Sequence, residues 1–395
     1  MFKRPIIFLT LSAILTLSLV TVPAAKAAPP AGAKWTVMVY MAGDNNLEPS
    51  IVTDIQTELA PLGSSSDVQV VALADRIPGY DASGGDWTGT LLFHVTQGMT
   101  ATPGNAAADW GERNTGDPQT LIDFVQWAKT NYPANHYLLS FWGHGWSWRP
   151  AYTMADYTNA DTLDPDEVAA AIPSLGFIDV VAYDACQMAT SEIAHLWHDH
   201  AAAVSFSQEY VNWDGIEYDL IISDLYANPS MTADQVAISV TQSASVNSER
   251  TWSAIAVDSR WDALVTAVDQ WAIALNTGLA ANRKTYTSAF RAARDFNADP
   301  TSKDLRGAAY EISTRIKDQN IKAKSNAVIA AYDALLLAEW HTSPYSGAHG
   351  LSIFLPMTKK QLDYAGTPQN DFVYYQSLRF AQDTHWDEFI AAYVQ

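Results

Sequence analysis

Short, uninterrupted apolar runs recur through the N-terminal part of this chain, and they constrain its fold more than any other feature. They cover residues 35–41, 68–74, 90–95, 137–142, 178–183 and 202–206. A run of this length without polar alternation reads as a strand buried on both faces, as in a parallel sheet. Helix signals lie between most of the runs. Asp117-Pro118 supplies an N-cap and a first-turn proline ahead of Leu121, Phe124, Val125 and Ala128 at helical spacing. Asp164-Pro165-Asp166-Glu167 opens another helix, with Glu167 placed to close a capping box. Strands alternating with helices predict an α/β fold, a mostly parallel sheet sandwiched by helices.

Beyond about residue 225 the texture changes. Residues 231–246, 261–275, 285–296, 305–316 and 327–340 read as helices, and Trp261, Leu264, Val265, Val268, Ala272 and Leu275 trace one apolar face. Residues 254–257 and 351–355 read as strands at the edges of the same sheet. The 395 residues exceed what one core usually holds, so an α/β domain over 28–250 and a mainly helical region over 251–395 packed on it are expected. The polar segment 149–164 reads as exposed. Residues 1–27 have a basic start, an apolar middle and a small-x-small end at Ala25-Lys26-Ala27, the pattern of a signal peptide. A secreted product, extracellular or periplasmic, is expected. With 23 basic against 43 acidic residues, the chain is a poor partner for nucleic acid or an anionic membrane.

Two of the apolar runs end in reactive side chains. One closes on His144-Gly145, the other on Asp184-Ala185-Cys186, and Cys186 is the single cysteine of the chain. In open α/β sheets ligands bind outside the carboxyl ends of the strands. A thiol and an imidazole at neighbouring tips form a nucleophile–base pair, the equipment of a cysteine hydrolase. Other polar clusters are given plainer uses. Asp44-Asn45-Asn46-Leu47 reads as a turn, His349 as structural, and His195 with His198 as a solvated helix face rather than a zinc site.

The motifs together resemble the clostripain-type cysteine peptidases, relatives of the caspases, legumain and gingipains. The resemblance is carried by residues 35–47, Gly143-His144-Gly145, Asp184-Ala-Cys-Gln-Met188, Ser207-Gln-Glu209 and residues 346–356. It implies a caspase-like fold and a cysteine endopeptidase, with Cys186 as nucleophile and His144 as general base and acid. The amides of Gly145 and Cys186 fit an oxyanion hole. Asp184 is expected to floor a pocket selecting arginine or lysine before the scissile bond, with Asp214, or else Glu209, as its second carboxylate. A monomer acting on protein or peptide substrates is expected. No metal ligands are assigned; members of the resembled family can require calcium, yet no stretch has the spacing of a calcium loop. The rival readings are a catalytically silent binding protein on the same fold and a cysteine peptidase of non-basic specificity.

Between Gly145 and Tyr183 the only basic residue is Arg149, followed by Pro150, whose tertiary amide makes the bond a poor substrate. An enzyme specific for arginine or lysine therefore has no good internal site there. The active protein is expected to remain one chain through this segment. On a denaturing gel, two fragments split within it, with activity appearing only after the split, would contradict this.

Overall fold

The computed structural model describes residues 32–247, 249–296, 299–363 and 371–395. The expected signal peptide lies outside the described residues. Among the described residues nine strands form one sheet in the order β11-β8-β7-β6-β5-β1-β2-β3-β4. They are β1 (Ala33–Gly43), β2 (Val68–Arg76), β3 (Gly89–His94), β4 (Ala108–Gly111), β5 (Ala134–Trp142), β6 (Ile178–Asp184), β7 (Ala201–Phe206), β8 (Thr251–Ala256) and β11 (Leu336–His341). The central strands β2, β1, β5, β6 and β7 run parallel, and antiparallel strands finish both edges.

The period-two alternation of β1 explains why helices cover both faces. Met38, Tyr40 and Ala42 point into one core, and Trp35, Val37, Val39 and Met41 into the other. The second core is closed by α1 (Glu48–Asp54), α5 (Tyr218–Ala227) and α6 (Ala233–Val246). The first is closed by α2 (Pro118–Asn131), α3 (Pro165–Leu175), α4 (Ser191–Leu196), α7 (Ser259–Ala292), α8 (Leu305–Arg315), α9 (Gln319–Leu335), α10 (Asp371–Ser377), α11 (Arg379–Gln382) and α12 (Trp386–Tyr393). The two predicted starts hold: Asp117 accepts the Gln119 N–H at 2.8 Å, and Glu167 accepts the Asp164 N–H at 2.9 Å.

The C-terminal region differs from its sequence reading in three ways. The two helices expected over 261–296 are one, α7, ending at Ala292. The helix expected over 327–340 stops at Leu335, and Leu336–His341 becomes β11 instead. Leu, Ala and Glu favour helix, but β8 offers an open row of backbone donors and acceptors, and pairing with it overrides propensity. The strand expected at 351–355 leaves the main sheet: β12 (Ser352–Phe354) pairs with β10 (Asp299–Asp304), which also pairs with β9 (Asp295–Phe296). Gln208 ties this small sheet to the end of β7, donating to Ser352 Oγ at 2.9 Å and accepting the Gly350 N–H at 2.8 Å.

Segment 149–164 is not simply exposed. Trp148 and Arg149 are fully buried, while 157–160 face solvent. The Arg149 guanidinium lies 4.5 Å from the Trp148 ring centroid and donates to Asp299 Oδ2 at 2.7 Å and Thr301 Oγ1 at 2.9 Å. This places the only basic side chain of the segment out of reach of any peptidase. Truncation strands a buried Asp299 charge, so Arg149→Ala should cost about 3–5 kcal/mol of stability in chemical denaturation. A loss below about 1 kcal/mol would mean the pair is a surface-grade contact.

Candidate active site

The chain runs from β1 outward to β2, β3 and β4, then returns to place β5 on the other side of β1. This reversal is a topological switch point, where a crevice opens beyond the carboxyl ends of the strands. A cleft of about 250 Å³ lies there, lined by Asn46 after β1, Trp142 to Gly145 at the end of β5, Asp184 to Cys186 at the end of β6, and residues 210–213 and Gly215 beyond β7. The fold therefore brings His144, Gly145, Asp184 and Cys186 to one cavity. It does not bring the other two predicted residues there. Asp214 does not line the cleft: it is exposed at its edge between the lining residues Trp213 and Gly215, near enough for its charge to raise Asp54. Glu209 is fully buried behind it: its backbone carbonyl accepts the Gln187 N–H at 3.0 Å and its Oε1 accepts the Tyr210 N–H at 3.1 Å.

Local backbone explains how the two reactive tips approach. Gly143 N–H donates to Asp184 O at 3.2 Å, closing the ends of β5 and β6 together. A Cβ on Gly145 would lie 2.6 Å from Cys186 O and 3.0 Å from Ala185 Cβ, so only glycine lets this backbone pass so close. After Cys186 the chain turns sharply, with Gln187 at φ 62°, a left-handed conformation that a non-glycine residue adopts at a cost. Among the described residues, the N–H groups of Gly145 and Cys186 donate to no protein acceptor.

The imidazole has a partner that sequence reasoning assigned to a turn. His144 Nε2 lies 2.9 Å from Asn46 Oδ1, which also accepts the Tyr157 O–H at 2.9 Å. An amide oxygen accepts only, so Nε2 carries the proton and Nδ1 keeps its lone pair. Burial lowers the His144 pKa, holding the ring neutral. Burial pushes the Cys186 thiol up to about 11; nearby Glu249 and Asp184 oppose the thiolate, while the Val211 N–H, 3.4 Å from Sγ, favours it. At rest the pair is thus neutral thiol and neutral imidazole. The signal for Asn46 was its place, two residues past Asp44 at the tip of the central strand.

Asp184 sits on the cavity floor, 7% exposed. Burial, then the charge of Asp54, raise it to about 8, against bonds from the Ile216 N–H and the Tyr218 O–H. Gly215, at φ +57°, covers it: a Cβ there would lie 2.6 Å from Asp184 Oδ1. Below lie further acids. Asp54 accepts the Trp142 indole N–H at 2.9 Å and is raised to about 7, chiefly by burial, and Glu58 is raised to about 10 by burial and by Asp54.

A clostripain family model matches residues 39–393. Over 223 residues the chain is 30% identical to clostripain of Hathewaya histolytica, a stretch covering 49% of this chain and 42% of that relative's length. Its fold is similar to a secreted C11 cysteine protease of Bacteroides thetaiotaomicron in complex with an irreversible peptide inhibitor (TM-score 0.67, 17% identity, 90% of this chain and 100% of the other). It is equally similar to an inactive zymogen C11 protease of Parabacteroides distasonis (TM-score 0.67, 17% identity, 90% and 99%).

The raised carboxyl has a consequence for stability. The unfolded aspartate ionises near its ordinary value, whereas the folded one holds its proton to about 8. Between those values the folded state binds more protons, so this group destabilises the fold progressively as pH rises. Asp184→Asn should therefore raise the melting temperature more at pH 8 than at pH 5. An equal or smaller gain at pH 8, read from paired thermal melts, would contradict the assignment.

Proposed function

The chain belongs to the clostripain family, and from that premise we propose that it is a secreted cysteine endopeptidase cleaving after arginine or lysine through Cys186 and His144. The observation that carries the reading is that thiol, imidazole, two free backbone N–H groups and a buried carboxylate share one cleft. Among the described residues no helix is long and apolar enough to cross a membrane.

The chemistry follows from those positions. His144 Nδ1 takes the Cys186 proton as sulfur attacks the scissile carbonyl carbon, and the resulting imidazolium stabilises the developing charge. The carbonyl oxygen gains the electron pair and is received by the N–H groups of Gly145 and Cys186. Collapse of the tetrahedral species breaks the C–N bond, and His144 returns its proton to the leaving amine. Water, deprotonated by the same imidazole, then hydrolyses the thioester and restores the thiol. Asn46 is a positioning residue: it holds the ring in the tautomer that this sequence requires. The substrate's cationic side chain reaches Asp184 past Gly215, where the bare backbone leaves room, and an ionised Asp184 pairs with it.

Cys186→Ala and His144→Ala should each remove activity, by about 10²–10⁴-fold for the histidine, with the double variant little worse than either alone. Asp184→Asn should lose about 2–5 kcal/mol of transition-state binding on arginyl peptides. For the wild type, KM on such peptides should fall as pH rises toward 8, because the pocket must ionise to pair with its ligand. Cleavage of a mixed peptide library, read by mass spectrometry, tests all of this. Substantial turnover by Cys186→Ala would end the reading, and sites without preference for arginine or lysine would end the specificity.

A further inference from the structure

The catalytic cleft has a neighbour. A second cavity, of about 480 Å³, lies in the segment that joins β5 to α3, and it shares His144 and Tyr152 with the cleft. Neither Cys186 nor Asp184 lines it. Tyr152, half exposed, borders both spaces, and its ring stands edge-on to His144 and to Trp146, with centroids 5.6 and 5.5 Å away. Around the second cavity stand Tyr157 and the carboxylates of Asp156, Asp161 and Asp164, and alanine and threonine line the rest. The hydrogen-bond donors of these acids are neutral. Asp156 accepts from Thr115 and Asn159, Asp161 from Asn114, and Asp164 from Ala151 and Thr162. Among the described residues no lysine or arginine pairs with any of the three.

The order of the reacting groups ties this second cavity to one side of the scissile bond. The side chain before that bond descends to Asp184 in the first cavity, on the thiol side. The leaving amine takes its proton from His144, so the peptide that continues from it departs along the imidazole. The space bordered by His144 but not by the thiol is the second cavity. We propose that it receives a basic side chain from the first two residues after the scissile bond, so that preferred sites carry basic residues on both sides of the cut. This rests on the peptidase reading and adds the leaving-group side to it.

Acidic side chains alone do not make a subsite. The wall shared through His144 and Tyr152 places the cavity on the path of the substrate, and the acids decide what enters it. A lysine or arginine lays its aliphatic stem and cationic head against the tyrosine rings and brings its charge to the carboxylates. An acidic side chain meets three like charges instead. The cavity is also held in shape before any substrate arrives. Ala151, Met154 and Ala160 have φ of 67°, 48° and 52°, a left-handed backbone that non-glycine residues keep only where their surroundings impose it. The fastenings are the Ala151 N–H to Asp164 at 2.7 Å, the Met154 N–H to His144 O at 2.9 Å and the Tyr157 N–H to Asp44 O at 2.7 Å.

The full chain is incubated with peptides that share one arginine and differ only in the two residues after it, each position carrying lysine, alanine or glutamate in turn. Mass spectrometry locates the cuts, and only those directly after the arginine are counted. At one of the two positions lysine should raise kcat/KM about 5–10-fold over alanine, and glutamate should fall below alanine. Asp161→Asn removes one charge at nearly constant volume, and its lysine-to-alanine ratio should drop about threefold. Because that ratio is taken within one protein, a smaller folded fraction cancels from it. Equal rates for lysine, alanine and glutamate, or a preference for glutamate, overturn the subsite and leave cleavage after arginine standing. An unchanged ratio in Asp161→Asn overturns its assignment to this cavity. Failure to cut any of the arginyl peptides overturns the specificity reading and this inference together.

Discussion

The structure depends on the burial of β1 between two parallel neighbours. Its register pairs Trp35 with Val68 of β2 and with His136 of β5, and every residue from Trp35 to Gly43 is removed from solvent. A strand with no exposed face has no freedom to slip, because a one-residue shift would exchange Tyr40 and Val39 between two differently shaped cores. That rigidity is delivered at its carboxyl end to Asp44, Asn45 and Asn46. Asn45 locks the turn by donating to Ala42 O at 2.9 Å and Ala155 O at 2.7 Å. Asn46 inherits a fixed position and hands it to His144. The imidazole is thus placed by the core of the sheet and not by its own loop alone.

The same logic distributes tasks around the cleft. β5 and β6 supply imidazole and thiol, and the glycine at 145 allows their backbones to meet. The turn after β6 cannot relax, since Gln187 is pinned in a left-handed conformation by Glu209 O and Ala189 N–H by Ser207 O at 2.9 Å. Glu209 therefore has a clear use that differs from the one its sequence position suggests. It shapes the turn that presents the thiol, through its backbone, and its side chain never reaches the pocket.

The strands, the two capped helices and the arrival of His144 and Cys186 at one cleft were legible because each is written locally, in apolar runs, in Asp-Pro dipeptides and in the residues ending two strands. What was illegible depends on partners distant in sequence. β10 contains no apolar run, only Asp-Pro-Thr-Ser-Lys-Asp, and is a strand because β9 and β12 pair with it. His195 and His198 looked solvated, yet both are buried, with carboxylates supplied from α7 and beyond: His195 meets Asp383 at 3.0 Å and His198 meets Asp262 at 3.0 Å. Asp54 and Glu58 gave no hint of lying beneath Asp184, since they sit on the helical segment after β1, far from it in sequence. The convergence of Asp44, Asp75 and Glu112 escaped for the same reason: the three lie far apart in sequence and meet only through the sheet.

The floor of the cleft shows why such a site resists prediction. Asp184, Asp54 and Glu58 are buried and repel one another, and among the described residues no basic side chain pairs with any of them. A fold selected for stability alone would replace them with apolar residues. Kept as they are, Asp184 and Glu58 hold their protons at neutral pH, and under the proposed specificity an arriving cation would release the Asp184 proton. Under the proposed specificity, a guanidinium or ammonium entering past Gly215 would meet a carboxyl whose ionisation it drives itself, so binding and proton release would be one event. Neutral side chains gain nothing from that exchange, because a protonated Asp184 offers them one hydrogen bond and no charge. The proposed selectivity would then rest on the difference between a pocket that ionises and one that stays neutral, and the cost of burying the acids would be the source of that difference.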